Sequence, residues 1–236
     1  MGIIGLKNAH KFTRSEQVQL ALVHLIDLRG DIIIIKSSVI LTDERKIAKR
    51  NRNGDSDMSL TETDLVKIRK AISQQEITAI IYRLARGLDR RDKSLLASCF
   101  HEGATDDHGL FVGSAPDFCD WVVEQLGNYE RTQHHITNVN IVIDGDKATT
   151  EAYFIAHHVM PTADGPKKDV IAAGRYLDRF ERKNDEWLIM HRKALYDWSR
   201  VEETKDGWAN PPISEILERG QQGPGDLSYE FLKGLV

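Results

Sequence analysis

The sequence predicts an α+β fold, because helical patterns come first and a run of strand patterns follows. Across residues 63–89 the apolar positions recur at the three- and four-residue spacing of an amphipathic helix, without a proline. After Leu126 the pattern changes to the two-residue alternation of strands. Junctions such as Asp144-Gly145-Asp146 carry turn residues. Helices followed by an antiparallel meander are typical of the α+β class, and a curled sheet around its helices leaves a pocket between them.

The expected elements can be placed in chain order. The first helical segment ends near residues 87–89, and a second helix is expected at 93–100, with Asp92 as its N-cap. A turn at 101–104 and a short strand and bend at 105–112 precede a helix that opens at Pro116 and ends at Leu126. The four strand candidates are residues 139–143, 148–158, 170–182 and 186–196.

Composition restricts the classes of protein to consider. The net charge of −4 is small for a chain of 236 residues, which disfavours nucleic acid and anionic membranes as partners. No apolar run reaches the roughly 20 residues of a membrane span, and the N-terminus lacks the plan of a signal peptide. The two cysteines, Cys99 and Cys119, are typical of reduced thiols rather than of a disulfide framework. We therefore expect a cytoplasmic protein.

Three regions are expected. Residues 1–57 form an N-terminal extension, disordered or loosely attached or the result of a mis-called start, in which 32–35 and 39–41 could pair as a hairpin. Residues 58–200 form the α+β domain. Residues 201–236 are interrupted by glycine and proline but carry apolar anchors, which suits either a lid over the pocket or a subunit contact.

Two adjacent histidines, His134 and His135, stand where a strand pattern begins. Neighbouring side chains on a strand point to opposite faces, so one ring can enter the protein while the other faces outward. A buried histidine is often only a hydrogen-bonded core residue. Zinc usually needs three or four ligands, and two adjacent histidines on a strand diverge, so a metal is not expected.

A histidine beside a carboxylate in an apolar pocket can remove a proton from carbon, because the carboxylate fixes the imidazole tautomer and stabilises the imidazolium. Tyr82 and Asp89 are seven residues apart, so a continuous helix would place them on one face. The sequence contains no Gly-rich phosphate loop and no nucleophile elbow that would indicate another chemistry.

From about Leu65 to Arg200 the chain resembles a SnoaL-like domain of the nuclear-transport-factor-2-like superfamily, a cone-shaped α+β barrel. It is most similar to the branch that includes scytalone dehydratase, bile-acid dehydratase and hexachlorocyclohexane dehydrochlorinase. The segments that carry the resemblance are Leu88-Asp89-Arg90-Arg91-Asp92, Phe100-His101-Glu102-Gly103-Ala104, Thr132-Gln133-His134-His135-Ile136-Thr137-Asn138, Gly174-Arg175-Tyr176-Leu177-Asp178 and Trp187-Leu188-Ile189-Met190-His191-Arg192.

The resemblance implies a catalytic pair, in which Asp89 at the end of the first helix orients His134 as the base. It also implies that His158 on the next strand contributes to the substrate pocket.

Further pocket residues are implied less directly. The late arginine of these lyases falls near Arg192, with Arg175 as the competing choice, and Tyr176 matches a pocket-facing position. The helix tyrosine of relatives is displaced to Tyr82 here, and the tyrosine of the first strand has no clear match, with Asp107 or His108 nearby. The candidate substrate-binding residues are therefore Tyr82, His108, His158, Arg175, Tyr176 and Arg192.

The resemblance implies a cofactor-independent lyase, of the dehydratase or dehydrohalogenase type, that acts on a small apolar cyclic substrate and assembles as a homotrimer or homodimer. Two alternatives stay open. One is a non-catalytic binding or assembly domain, such as the small subunit of a ring-hydroxylating dioxygenase. The other is a polyketide cyclase or ketosteroid-type isomerase.

Overall fold

The computed structural model describes residues 60–209 and 211–233, together with the backbone of two short strands nearer the N-terminus. The chain divides into two compact units, Met1–Ser59 and Leu60–Val236. In the first unit, β1 (Leu22–Ile26) pairs antiparallel with β2 (Ile32–Lys36). β2 thus pairs with the preceding segment, and the expected pairing of 32–35 with 39–41 lies outside the described residues. Whether the extension is disordered, loosely attached or mis-called depends on residues that lie outside the described ones.

The second unit begins with the helices. The long helix α1 (Glu62–Arg90) starts in a capping box, where Thr61 and Asp64 satisfy each other's backbone N–H groups. It ends at Arg91, whose φ of 50° lies in the left-handed region and turns the chain out of the helix. The short helix α2 (Lys93–Ala97) is capped by Asp92, as expected, and the last turn predicted for it is absent. One face of α1 enters the core through Ile77, Ile81, Leu84 and Leu88.

The structure of the segment after α2 differs from the sequence prediction. Residues 101–104, expected as a turn, lie inside strand β3 (Phe100–Asp107), which carries a register shift and a positive φ of 76° at Gly103. Strand β4 (Val112–Ser114) pairs with β3 and leads into helix α3 (Ala115–Leu126), which has its proline in the first turn as predicted.

Four long strands form most of the sheet, and each is longer than the sequence pattern indicated. They are β5 (Arg131–Asp144), β6 (Lys147–Met160), β7 (Lys168–Lys183) and β8 (Glu186–Glu203). They pair antiparallel in sequence order, and β3 adds to β8 in parallel, which gives the order β4-β3-β8-β7-β6-β5. The sheet is curved and unclosed. The α+β fold class, with helices against a curved sheet, is confirmed.

The core lies between the helices and the inner face of the sheet. α1 and α3 contribute one side of it, and inward residues of β6, β7 and β8, such as Ala152, Phe180 and Trp187, contribute the other. This packing fills one end of the fold. Toward the other end the inward positions carry polar and aromatic side chains, and there the candidate site lies.

The C-terminal segment after β8 contains a 3₁₀ turn (Gly207–Ala209) and two short helices, α4 (Ile213–Ile216) and α5 (Ser228–Phe231). It packs at the C-terminal end of α1, where the N–H of Gly223 donates to the carbonyl of Arg90 at 2.8 Å. The hydroxyl of Tyr229 donates to Asp92 at 2.8 Å, and the guanidinium of Arg86 lies over the Tyr229 ring. A role as a lid or a subunit contact stays a prediction.

Candidate active site

The site is built around a carboxylate–imidazole pair that joins α1 to β5. The Nδ1 atom of His134 lies 2.7 Å from Oδ1 of Asp89, and both side chains are largely buried, with exposures of 7% and 14%. The backbone N–H of His134 also donates to Asp89, at 3.0 Å from each carboxylate oxygen. The hydroxyl of Thr132 donates to the same carboxylate at 3.3 Å.

These donors explain why a carboxylate is stable in the last turn of a helix. The C-terminal end of a helix carries a partial negative charge, which disfavours an aspartate there. Strand β5 compensates by directing a backbone N–H, a hydroxyl and a ring N–H at Asp89. Such hydrogen bonds to a charged acceptor are stronger than neutral ones.

The strand pattern decides which of the two histidines takes part. Thr132, His134 and Ile136 point inward on β5, whereas His135 is exposed. A register shift against β6 between Thr137 and Val139 then moves the inward positions from even to odd numbers. The inward alternation thus presents His134 to α1 and leaves His135 on the outer face.

The pair has a defined chemical capability. A carboxylate can only accept hydrogen bonds, so Nδ1 of His134 must donate to Asp89. In the neutral ring this places the free lone pair on Nε2. A ring held in this tautomer can accept a proton at Nε2, and the resulting imidazolium is stabilised by the adjacent carboxylate.

His134 opens onto a cavity of about 240 Å³ between the helices and the sheet. Its lining has an apolar part, which comprises Leu88, Leu110, Trp121, Val122, Leu126, Phe154, Ala156, Met160 and Ala172. Its polar part comprises His108, Gln125, Asn128, Tyr129, His134, His158, Tyr176 and Tyr196. An apolar cavity with a few converging polar groups is the usual form of a small-molecule site.

His158 lies beside the pair, because it faces Thr132 across the β5–β6 ladder. Its ring centroid is 5.5 Å from that of His134 and 4.7 Å from that of Tyr129. Burial, and then the neighbouring His134, lower the pKa of His158 to about 4. Its buried Nδ1 has no hydrogen-bond partner among the described residues. The ring is therefore neutral near pH 7.

Tyr176 lines the cavity as the resemblance implied, stacked on Phe154 with ring centroids 4.3 Å apart. Burial raises the pKa of Tyr176 well above its ordinary value, so the hydroxyl keeps its proton.

Arg192 does not reach the cavity, which corrects the expectation that it lines the pocket. Its side chain is fully buried behind Tyr176, with the guanidinium carbon 4.3 Å from the ring centroid. Burial opposes its charge, yet Asp178 holds the pKa of Arg192 above its usual range through two hydrogen bonds of 2.7 Å. The strand alternation does point Arg192 inward, but the position is too deep to meet a substrate in the cavity.

Arg175 and Tyr82 are also placed outside the cavity, against expectation. Arg175 occupies an odd position on β7 and so points to the outer face of the sheet, where it binds Glu151 and Asp197. Tyr82 is 51% exposed on α1 and borders a second, more open depression that Asp89 and His134 also line.

His108 does line the cavity, and it has a partner that the sequence analysis missed. Its Nδ1 lies 2.8 Å from Oδ1 of Asp106, and its ring stacks on Phe118 at 4.8 Å. The alternation could have revealed this pair, since residues two apart on a strand share a face. Asp107, the other candidate near this point, binds the side chain of Lys193 instead. Tyr129, Trp121 and Tyr196 were also missed as lining residues.

Two further observations apply to the part of the chain that the structure describes. No helix there is long and apolar enough to cross a membrane. Nor do three or more histidine, cysteine, aspartate or glutamate side chains come together there in an arrangement that could hold a metal ion.

Comparison with known proteins finds relatives in sequence and in structure. Among curated relatives, an uncharacterized protein of Mycobacterium tuberculosis is 25% identical over 138 residues, which cover 57% of this chain and 92% of the relative. Among solved structures, the chain is similar to a putative scytalone dehydratase from Novosphingobium aromaticivorans, with a TM-score of 0.51 and 17% identity over 67% of this chain and 97% of the other. It is also similar to a type 2 hexachlorocyclohexane dehydrochlorinase, with a TM-score of 0.52 and 18% identity over 64% and 99% of the two chains.

The two structural similarities agree with the fold described above. The model of the SnoaL-like domain matches residues 69–193, just over half of the chain, from the first third of α1 to the middle of β8. This range contains both dyads and most of the cavity lining. The chain therefore belongs to the SnoaL-like domain family.

Proposed function

We propose that the protein is a cofactor-independent lyase, which removes a proton from a carbon atom of a small, mostly apolar cyclic substrate and expels a leaving group. The observation that carries the proposal is the buried Asp89–His134 pair opening on an apolar cavity. Perturbed and paired titratable groups in a cleft are typical of catalytic sites.

The proposed reaction begins with Nε2 of His134 taking a proton from the carbon adjacent to an electron-withdrawing group. The electron pair of that C–H bond forms the new double bond, and the leaving group departs with the electrons of its own bond. Asp89 stabilises the imidazolium that forms, because its carboxylate stays within hydrogen-bond distance of Nδ1. Neutral Tyr176 and neutral His158 are hydrogen-bonding groups available to the electron-withdrawing function.

The names of two structural neighbours support the type of reaction. One is a putative scytalone dehydratase and the other a hexachlorocyclohexane dehydrochlorinase; both names describe eliminations, and the second names a cyclic compound. At this level of identity the similarity establishes only the fold, so the elimination itself depends on the geometry of the site.

The test uses two cyclic ketones that both yield cyclohexenone, namely 3-chlorocyclohexanone and 3-hydroxycyclohexanone, with the product followed by ultraviolet absorbance. His134→Gln is expected to slow both eliminations by about 10²–10⁴-fold, the usual contribution of a positioned base. Asp89→Asn should slow both less severely, because the asparagine oxygen can still accept from the ring.

The matched control is His135→Gln, which changes the exposed neighbour on the same strand and should leave both rates at the wild-type value. Equal rates for His134→Gln and wild type would contradict the proposal and favour a non-catalytic binding domain.

A further inference from the structure

The cavity wall carries a second carboxylate–imidazole pair, Asp106 and His108, for which the reaction described above has no role. Both side chains are buried, with exposures of 0% for Asp106 and 10% for His108. Their Oδ1 and Nδ1 atoms are 2.8 Å apart. Since the carboxylate only accepts, Nδ1 of His108 donates to it, and Nε2 is left for other partners.

The second pair lies across the fold from the first. His134 is on β5, at one edge of the sheet, whereas Asp106 is on β3 and His108 follows directly after that strand. Strands β6, β7 and β8 lie between β5 and β3 in the sheet. Curvature nevertheless brings both histidines to the same cavity. A small cyclic substrate in this cavity would therefore have His134 near one edge of the sheet and His108 near the other.

Asp106 is committed to His108. It faces Arg192 in the parallel pairing of β3 and β8, but the guanidinium of Arg192 is bound to Asp178 instead. The buried Oδ2 of Asp106 and Nη1 of Arg192 both have no hydrogen-bond partner among the described residues. Among those residues the side chain of Asp106 therefore bonds His108 alone, which suits it to orient that ring.

We propose that His108, positioned by Asp106, is the general acid that protonates the leaving hydroxyl group during dehydration at this site. This inference rests on the proposed lyase function and narrows its substrates to cyclic compounds with a hydroxyl β to a carbonyl. His134 takes the proton from the α-carbon, the C–H electrons form the double bond and the C–O bond breaks. The departing oxygen takes its proton from Nε2 of His108 and leaves as water. Exchange of protons with solvent then restores both histidines.

The two ketones distinguish the acid from the base. Chloride leaves without a proton, whereas a hydroxyl group has to be protonated before it leaves as water. His108→Gln is expected to slow water loss from 3-hydroxycyclohexanone by about 10²–10⁴-fold. The same variant should slow chloride loss from 3-chlorocyclohexanone far less, because that step needs no acid, so the ratio of water loss to chloride loss should fall by about 10-fold or more. His134→Gln should slow both reactions.

A second variant and a control variant show whether misfolding explains a loss of activity. Asp106→Asn keeps the His108 ring but removes the carboxylate charge, and it should slow water loss selectively by a smaller factor. His191→Gln changes a histidine that bonds Thr105 of β3 on the outer face of the sheet, and it should affect neither reaction.

The outcomes are distinguishable. Selective loss of dehydration in both site variants supports the inference. Equal effects on the two ketones, or no effect, would overturn it while leaving the role of His134 intact. If wild type eliminates neither group, or His134→Gln has no effect, the proposed lyase function fails and the inference fails with it.

Discussion

Asp89 has a structural role and, in the proposed reaction, a chemical one. Its two oxygens accept the backbone N–H of His134, which ties the end of α1 to β5, and Oδ1 also orients the His134 ring. An asparagine at this position keeps one oxygen acceptor but loses the charge that stabilises an imidazolium. The role of Asp89 in stability and its proposed role in orienting His134 as a base are therefore partly separable by substitution.

His158 provides a pH prediction at the scale of one residue. Its pKa is about 4 in the folded protein against an ordinary 6.5, so below pH 6.5 the unfolded chain binds a proton that the folded protein does not. Its contribution to stability is thus complete above pH 6.5 and is lost as the pH falls toward 4. By linkage the full loss is about 3 kcal/mol.

Urea unfolding of wild type and His158→Gln between pH 7.5 and pH 4.5 measures this effect, since glutamine does not titrate. The variant should lose less stability than wild type over this range, whereas His135→Gln should follow wild type. Parallel curves for His158→Gln and wild type would contradict a buried neutral ring.

The candidate site was predictable from the sequence only in part, for reasons visible at single residues. Strand alternation and the family resemblance together pointed to Asp89 and His134, and the structure places those two in contact. Alternation also points Arg192 inward, but depth along the strand, which the pattern does not encode, puts Tyr176 between it and the cavity. Asp106 lies two residues before His108, a spacing that indicates a shared face on a strand, but the bend expected within residues 105–112 obscured it.

At the scale of elements, the irregular pairing of β7 with β8 shapes the cavity. The register shifts between Ala173 and Gly174, and Gly174 faces Tyr196, a lining residue. A Cβ atom at Gly174 would lie 1.9 Å from the carbonyl oxygen of Leu195. Because the obstacle is backbone rather than a flexible side chain, no larger residue fits without separating the strands.

Gly174→Ala is therefore expected to destabilise the protein by about 3 kcal/mol or more, the upper range for overpacked sites. The comparison is Gly165→Ala in the exposed β6–β7 connection, where an added Cβ would make only an ordinary contact of 3.5 Å with Thr162. Thermal unfolding of the two variants measures the difference. A Gly174→Ala protein as stable as Gly165→Ala would show that the strands approach less closely than described.

Several elements were predictable because their signals are local. The capped start of α2 at Asp92, the proline in the first turn of α3 and the turn between β5 and β6 at Gly145 all lie where the sequence indicated. The extension of β8 to Glu203 was not predictable, because residues 197–203 are largely exposed and polar. They are held by pairing with the start of β7 rather than by burial.

At the scale of the whole molecule, the outer face of the unclosed sheet carries apolar side chains. Ile155 on β6 and Trp198 on β8 are 41% and 50% exposed, and both pair with Ala173 of β7, which lies between them. Contiguous exposed apolar groups are typical of association surfaces. This face suits the homodimer or homotrimer that the family resemblance implies.

We predict that light scattering will give a mass of two or three chains for wild type, and that Trp198→Glu combined with Ile155→Glu will shift it toward one chain. Ile72→Glu, on an exposed position of α1, is the control and should keep the wild-type mass. A wild-type protein of one chain across micromolar concentrations would contradict this assembly.

Removal of a proton from carbon by His134 can be measured without any leaving group. Cyclohexanone in deuterated water exchanges the hydrogens beside its carbonyl, and NMR follows the loss of their signal. We predict that wild type accelerates this exchange above buffer and that His134→Gln removes about 99% or more of the acceleration, the loss expected for a positioned base. Exchange at the buffer rate with wild type, or equal acceleration by the variant, would contradict the assignment of His134 as the base.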